Sequence, residues 1–336
     1  MIACFRVLIV LTMIFTAFPL ADRADAQKIT FFRIGTGSTS GTYYPIGNII
    51  ATAISNPPGS LDCDKGGSCG APGLVALVQS SSGSIVNVED IASGAVELAI
   101  SQVDIAYWAY NGSGLFHHDE ANKALRAIAN LYPESLHVVV RRDTGIKGIA
   151  DLVGKRVSLG GKGSGALVKT EAILKAYGLS TDDVAPQYLN PGAASLAMNE
   201  GTLDAFFFVA GYPVTAITDL ARSVEIDLLP ISAEPADKLV AFYPFFTKSV
   251  IPADTYEGVG EIATISIGAQ LLVAANIEDD IVYQITAALW HENSRQLLDN
   301  GHAKGREIRI ETALDGLVVP LHPGAERYYR ESGLLE

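Results

Sequence analysis

The feature that most constrains the fold of this chain is a pattern that occurs twice. An apolar, strand-like run leads into a loop of glycines and small hydroxyl residues, and a segment with helical periodicity follows. The first copy spans residues 30–53 and the second spans residues 156–177. Later in each half, a glycine, apolar and acidic order precedes another strand-like run, at 94–100 and at 201–207. This similarity is too loose for a sequence repeat, but it predicts two α/β lobes built alike.

Both loops join the end of a predicted strand to the start of a predicted helix. Glycines let backbone N–H groups approach a ligand closely, and the first turn of a helix offers unpaired donors with partial positive charge. In open α/β sheets, ligands bind beyond the carboxyl ends of the strands. Two lobes of this kind, facing each other, predict a cleft that holds one small anionic ligand.

Composition narrows the class of protein. The chain has 336 residues, of which 49% are hydrophobic and 18% charged, and these values exclude a largely disordered protein. Lys and Arg number 24 against 37 Asp and Glu, a net charge of −13. A nucleic-acid binder normally carries a basic face, so we expect no nucleic-acid partner.

The first 26 residues have the features of a secretory signal peptide. Arg6 precedes an apolar run at 7–18 that is too short to span a bilayer, and small residues at Ala24 and Ala26 form a cleavage site. An uncleaved membrane anchor is the alternative. No twin arginine precedes the apolar run, so we expect export in the unfolded state, without a cofactor loaded in the cytoplasm. The predicted location is the periplasm.

Two cysteines remain after the signal segment, Cys63 and Cys69, in a glycine-rich loop. In an oxidising compartment this pair predicts a disulfide. The alternative is a metal or redox pair, but the spacing is not C-x-x-C and no further ligand cluster lies nearby in sequence. The other histidine and acidic groups, such as His117 and His118, are expected in solvated or structural positions, so we predict no metal site.

Two apolar runs are predicted to cross between the lobes, at 136–141 and at 263–273. They divide the chain into lobe 1, residues 27–138 plus 267–336, and lobe 2, residues 139–266. Three further segments have clear patterns: a buried strand at 74–79, a separate strand at 126–131, and one helix at 277–298.

Six motifs carry a family resemblance. They are the opening loop at 34–45, Gly83 and Ser84 with Asn87, 131–133, 163–165, 204–211 and 321–325. In this order, through essentially the whole mature chain, they resemble the TAXI family of solute receptors of TRAP transporters. The resemblance implies a type II periplasmic binding-protein fold, whose lobes close on a small solute and present it to a TRAP permease driven by an ion gradient. It also implies a carboxylate solute, such as glutamate, 2-oxoglutarate or a related organic acid.

Three features depart from the family pattern. Ala166 stands where threonine is frequent, Lys162 stands where proline is frequent, and the cysteine loop is an insertion. All three bear on the identity of the ligand and leave the predicted fold unchanged.

The helix starts and the resemblance together predict the ligand site. From lobe 1 we expect contacts from Gly37, Ser38, Gly41, Thr42, Tyr43, Ser84, Asn87 and Gln102, and from lobe 2 contacts from Ser164, Gly165 and Ala166, with Phe208, Gly211 and Pro213 shaping the wall. Helix capping uses the same residue types, so the alternative for the hydroxyl residues and for Asn87 is a role as helix caps.

Enzyme motifs do not match. The first loop is G-x-G-x-x-x-G, which differs from the dinucleotide fingerprint, and Lys162 precedes glycine where a Walker A lysine precedes Ser or Thr. We therefore expect no enzyme activity. The alternatives are an exported enzyme acting on small phosphate esters or nucleotides, and a periplasmic sensor-type receptor that never meets a permease.

Overall fold

The computed structural model describes residues 29–231 and 233–336, so the predicted signal peptide at 1–26 lies outside the described residues. The helices are α1 (Tyr43–Ile54), α2 (Ser84–Ser93), α3 (Val103–Asn111), α4 (Gly165–Ala176), α5 (Pro191–Asn199), α6 (Thr215–Ala221), α7 (Ala233–Phe242), α8 (Asp279–Leu289), α9 (Glu292–Gly301) and α10 (Pro323–Glu331). Within the described residues, none of these helices is long and apolar enough to span a membrane.

The strands alternate with these helices along the chain. They are β1 (Thr30–Gly35), β2 (Ser55–Asn56), β3 (Ala71–Pro72), β4 (Leu74–Gln79), β5 (Leu98–Gln102), β6 (Leu125–Arg141), β7 (Arg156–Ser158), β8 (Ala185–Gln187), β9 (Ala205–Ala210), β10 (Ile226–Leu228), β11 (Thr247–Ile251) and β12 (Ile262–Ala274). Both predicted strand, loop and helix units are present, as β1 with α1 and as β7 with α4.

In the described part of the chain, ten strands form one sheet in the order β4-β1-β5-β12-β6-β9-β7-β8, with β10 paired to β6 and β11 paired to β12. Pairing is parallel at both ends, between β1 and its neighbours and between β7 and its neighbours. In the middle it is antiparallel, from β5 through β12 and β6 to β9. The sheet therefore consists of two parallel ends joined by antiparallel strands, which confirms the predicted α/β class.

The two middle strands are long, with 17 residues in β6 and 13 in β12. They pair with each other and contain the two runs that we predicted to cross between lobes. The prediction of separate strands at 126–131 and 136–141 is wrong, because both belong to β6. Pro133 does not end the strand. It lies opposite Gly268 in an extended backbone, where proline removes one donor and does not force a turn.

Helices cover both faces of the sheet at both ends. At one end α1, α8 and α10 pack on one face of the sheet, and α2 and α3 pack with a second cluster of apolar side chains. At the other end α4 and α7 form one cluster with the sheet, and α5 and α6 form another. The predicted lobe boundaries fall within β6 and β12. The division into lobes by residue number stays a prediction.

Two further predictions need correction. The segment 74–79 is a strand, β4, but it is not buried, because it lies at the edge of the sheet and Leu77 is half-exposed.

The segment 277–298 contains two helices, α8 and α9, instead of one. The break occurs because the His291 imidazole accepts a hydrogen bond from the Asn293 backbone N–H at 3.1 Å and so caps a new helix.

The cysteine loop has the predicted disulfide, since Cys63 and Cys69 are joined with an S–S distance of 2.03 Å. The bond closes the loop between β2 and β3. His291 lies next to it, with Nε2 3.6 Å from the Cys63 sulfur. Because both sulfurs are bonded to each other, neither is a free thiolate that could bind a metal in this structure.

Candidate functional site

A cavity of about 330 Å³ lies where the loops before α1, α2, α4 and α5 meet the end of β9. Its volume is at the lower end of the range for small-molecule sites. Most of the predicted ligand residues line it: Gly37, Ser38, Gly41, Thr42, Tyr43, Ser84, Gln102, Ser164, Gly165, Ala166 and Phe208. The two predicted loops, which lie in different halves of the sequence, therefore border one cavity.

Two helix N-termini border this cavity without a side-chain cap. Helix α1 follows Thr42 and helix α2 follows Gly83, and within the described residues neither start has a side-chain cap hydrogen bond. The first N–H groups of a helix have no intrahelical partner and carry partial positive charge. The cavity thus offers the donors that an anionic group of a ligand needs.

The start of α4, unlike those of α1 and α2, has a side-chain cap. The Ser164 hydroxyl accepts a hydrogen bond from Leu167 N–H at 3.3 Å and donates one to the Gly161 carbonyl at 2.6 Å. Ser164 is therefore the cap of α4 as well as a lining residue. Asn190 caps α5 in the same way, through the Ala193 N–H at 2.9 Å. Of the four helix starts, those of α1 and α2 have no side-chain cap from the described residues, although the Val86 N–H in the first turn of α2 donates to the Gly163 carbonyl at 3.4 Å.

Three of the predicted residues lie outside the cavity lining. Asn87 is fully buried, and its amide donates to the carbonyls of Thr36 at 2.6 Å and Ile100 at 2.7 Å, so it ties the loop after β1 to β5. Gly211 and Pro213 follow β9. The Gly211 carbonyl accepts a hydrogen bond from the Thr42 hydroxyl, which makes Gly211 a support for the loop before α1.

The floor of the cavity is a buried polar cluster. The Tyr43 hydroxyl donates to the Glu134 carboxyl at 2.8 Å and lies 3.3 Å from the Ser84 hydroxyl. Ser84, for which a helix cap was the alternative role, is the first residue of α2, and its hydroxyl accepts from the Gln102 backbone N–H at 3.1 Å. Glu134 is only 1% exposed. Three predicted residues therefore surround a carboxyl group that sequence reasoning missed.

Burial raises the pKa of Glu134 from its ordinary 4.5 to about 8. Hydrogen bonds from Tyr43 and Gln102 and the charge of Lys169 lower the pKa, and the charge of Asp104 raises it, but desolvation is the largest effect. At neutral pH this carboxyl group is mostly protonated when nothing cationic contacts it.

A buried ion pair lies behind Glu134. Lys169 of α4 contacts Asp104 of α3 at 2.5 Å, and their side chains are 1% and 4% exposed. Burial lowers the pKa of the Lys169 ammonium, and the Asp104 carboxylate acts against that effect. On the other side of the cavity lies Lys162, an exposed cation 5.5 Å from the ring of Tyr188. The cavity therefore has a cation at its exposed rim and a carboxyl group at its floor.

Several lining residues were not among the predicted ligand contacts: Ser82, Gly83, Glu134, Gly161, Lys162, Tyr188, Asn190, Pro191, Val209 and Ala210. Two signals in the sequence point to some of them. Glu134 is the one acidic residue of β6, a strand in which most residues are apolar. Asn190 followed by Pro191 is a common helix start, which would have placed a further helix N-terminus at the edge of the sheet.

Three solved structures resemble this chain. A protein from Bordetella bronchiseptica RB50 matches with a TM-score of 0.50 and 15% identity, over 90% of this chain and 81% of that one. The alkanesulfonate-binding protein SsuA from Xanthomonas axonopodis pv. citri, bound to MOPS, matches with a TM-score of 0.47 and 17% identity, over 91% of this chain and 85% of that one. A substrate-binding protein of an ABC uptake transporter from Streptococcus pneumoniae, with bound histidine, matches with a TM-score of 0.47 and 15% identity, over 83% of this chain and 94% of that one. None of the three is described as an enzyme.

At these identities the likeness concerns the fold, which is that of type II periplasmic binding proteins, as the sequence predicted. The sequence itself matches the NMT1-like family over residues 34–333. Because this match covers nearly all of the chain, the protein belongs to the NMT1-like family.

Proposed function

We propose that this protein is a periplasmic solute receptor of a TAXI-type TRAP transporter, which captures a small carboxylate solute and delivers it to a membrane permease. One observation carries the proposal: the starts of α1 and α2, both without a side-chain cap, line the same cavity. The six motifs that resemble the TAXI family support the transporter type, and glutamate and 2-oxoglutarate are candidate solutes. The predicted signal peptide supports the periplasmic location.

The hydrogen-bond donors around the cavity are sufficient to bind a carboxylate with micromolar affinity. A helix N-terminus contributes about 0.3–2 kcal/mol towards an anion, and a hydrogen bond to a charged group about 1.5–3 kcal/mol. Ordering of the ligand and of the loops opposes these contributions. The balance is compatible with micromolar binding, about −8 kcal/mol.

Contacts between the two proposed lobes surround the cavity. The Ala216 N–H donates to the Ser40 carbonyl at 3.2 Å, and the Val86 N–H donates to the Gly163 carbonyl at 3.4 Å. The Thr42 hydroxyl makes a third bond of this kind. Opening of these few bonds separates the two proposed lobes and widens the access to the cavity. A permease that recognises the form with these bonds made would therefore distinguish the loaded receptor from the free one.

A thermal-shift screen of the mature protein tests the solute class. The panel contains carboxylates, amino acids, sulfonates, nucleotides and phosphate esters. We expect a carboxylate to stabilise the protein in a saturable way, by about 2.7 kcal/mol at a concentration 100 times its Kd. If only nucleotides or phosphate esters stabilise the protein, or if it converts one of them, it is the exported enzyme and the proposal fails.

Uptake into vesicles tests the transporter type. The purified receptor is added to proteoliposomes that contain a TRAP permease encoded beside it, and solute uptake is followed with an imposed sodium or proton gradient. We expect uptake that needs the receptor and the gradient and proceeds without ATP. Uptake that needs ATP and an ABC importer instead would contradict the TRAP assignment while leaving the receptor function in place.

A further inference from the structure

The floor of the cavity contains an acceptor that lacks a donor. Gln102 is 3% exposed, and its Oε1 atom has no hydrogen-bond partner within the described residues. Buried polar atoms without a partner are rare in native proteins, and each one needs an explanation. Since Gln102 lines the cavity, the explanation that the structure offers is a donor supplied by the ligand.

The position of this amide is fixed by its surroundings. The Gln102 backbone N–H donates to the Ser84 hydroxyl at 3.1 Å. On the opposite side, a Cβ atom at residue 165 would lie 1.8 Å from Gln102 Oε1, so only glycine leaves room for the amide there. The unpartnered oxygen is therefore held between the starts of α2 and α4, beside the Glu134 carboxyl group.

Glu134 has no counter-charge of its own. The groups that act on it are Tyr43 from α1, Gln102 from β5, Asp104 from α3 and Lys169 from α4, and Tyr132 lies next to it on β6. Within the described residues Lys169 is the one cation in this set, and its ammonium already contacts Asp104 at 2.5 Å. A carboxyl group with hydrogen-bond donors around it but without a free cation leaves a place for a cationic group of the ligand.

We propose that Glu134 and Gln102 form a subsite for the ammonium group of the ligand, so that the solute is an amino acid whose carboxylate lies at the starts of α1 and α2. The ammonium group donates to Gln102 Oε1 and to the Glu134 carboxylate. This inference rests on the proposed receptor function and narrows its solute class. A second carboxylate in the same place would face the unpartnered oxygen of Gln102 and the acidic group of Glu134.

The protonation of Glu134 gives the proposal a second consequence. With a pKa of about 8, the carboxyl group is mostly protonated at pH 7, and contact with an ammonium group favours its ionised form. Binding of an amino acid at pH 7 therefore releases about one proton to the solvent. A ligand without a cationic group leaves Glu134 protonated and releases none.

Calorimetric titration of amino acids, each paired with the 2-oxo acid that has the same side chain, tests the inference. For the pair that binds most tightly, we expect the amino acid to bind at least about 10-fold more tightly than the oxo acid. Equal or tighter binding of the oxo acid overturns the ammonium subsite and leaves the receptor function standing. If neither class binds, the subsite fails, and the proposed function fails as well only if no other carboxylate stabilises the protein in the thermal-shift screen.

Glu134→Gln keeps the shape of the side chain and removes its charge. We expect this variant to bind the amino acid about 10- to 100-fold more weakly and the oxo acid with unchanged affinity. Titration in two buffers with different ionisation enthalpies measures the released proton, which we expect for the wild type and not for the variant. The matched control is Glu97→Gln, a carboxylate outside the cavity that pairs with Arg33 at 2.6 Å, and it should change neither quantity. Unchanged amino-acid affinity in Glu134→Gln, or binding without proton release in the wild type, contradicts the proposal.

Discussion

Replacing Glu134 by glutamine should stabilise the ligand-free protein, and the gain should grow with pH. The folded state binds the Glu134 proton more tightly than the unfolded state does, because burial raises the pKa from 4.5 to about 8. The favourable contribution of this group to folding is therefore complete below pH 4.5 and is lost as the pH rises to about 8. A neutral amide avoids this loss and still accepts the hydrogen bond that Tyr43 donates at 2.8 Å in the wild type.

The size of the effect follows from the pKa change. At about 1.36 kcal/mol per pKa unit, the raised pKa of Glu134 costs the folded state about 5 kcal/mol of stability above pH 8, about 3 kcal/mol at pH 7 and about 1 kcal/mol at pH 5. The difference in unfolding free energy between Glu134→Gln and the wild type should therefore rise by about 4 kcal/mol between pH 5 and pH 9. Taking the difference cancels the groups that titrate alike in both proteins.

Urea unfolding without ligand, followed by circular dichroism at pH 5, 7 and 9, measures this difference. Glu97→Gln is the control, because Arg33 lowers the pKa of Glu97 in spite of its partial burial. Glu97 is thus mostly ionised throughout this range in both states, and its variant should differ from the wild type by nearly the same amount at each pH. If the Glu134→Gln difference is as flat as that of the control, the burial account of Glu134 is refuted.

Three other changes have defined outcomes. Lys169→Met leaves the Asp104 charge buried without its partner and should lower the free energy of unfolding in urea by about 3–5 kcal/mol. Adding Asp104→Asn should restore most of this loss. A double variant as unstable as the single one contradicts the buried ion pair. Gly165→Ala places a methyl group 1.8 Å from the present position of Gln102 Oε1, so calorimetry should find weaker solute binding, and unchanged affinity argues against the fixed amide. Replacing both disulfide cysteines by serine should lower the free energy of unfolding by about 2 kcal/mol. Solute affinity should stay unchanged, because the loop that contains them lies outside the cavity lining. A loss of affinity would mean that the loop takes part in binding.

Local patterns were enough to predict the elements that border the cavity. About twenty consecutive residues are enough to show a strand, a loop of glycines and small hydroxyl residues, and an apolar helical repeat. The unit of β1 and α1 and the unit of β7 and α4 were therefore predicted. The same holds for the disulfide, where the two cysteines are six positions apart in the sequence. The meeting of the two loops at one cavity followed from the rule that ligands bind beyond strand ends.

Contacts between distant segments were not readable from local patterns. Glu134 reaches the cavity floor because β6 pairs with β12, which places it opposite Ile267, while α1 brings Tyr43 to it from 91 residues away. The role of Asn87 depends likewise on carbonyls of β5 and of the loop after β1. A hydroxyl residue at a helix start can cap the helix or remain available, and only the structure distinguishes Ser164, a cap, from Thr42, which bonds the Gly211 carbonyl.

The most direct test of the central claim, that one small solute binds in this cavity, is calorimetric titration of a variant in which the cavity is filled. Ser82 lines the cavity and is exposed, so Ser82→Trp should fill the space without disturbing the core; Ser93→Trp, an exposed change at the far end of α2, is the matched control. We predict one solute per molecule for the wild type and for the control, and no measurable binding for Ser82→Trp. Binding by Ser82→Trp with the affinity of the wild type would place the solute elsewhere and contradict the account.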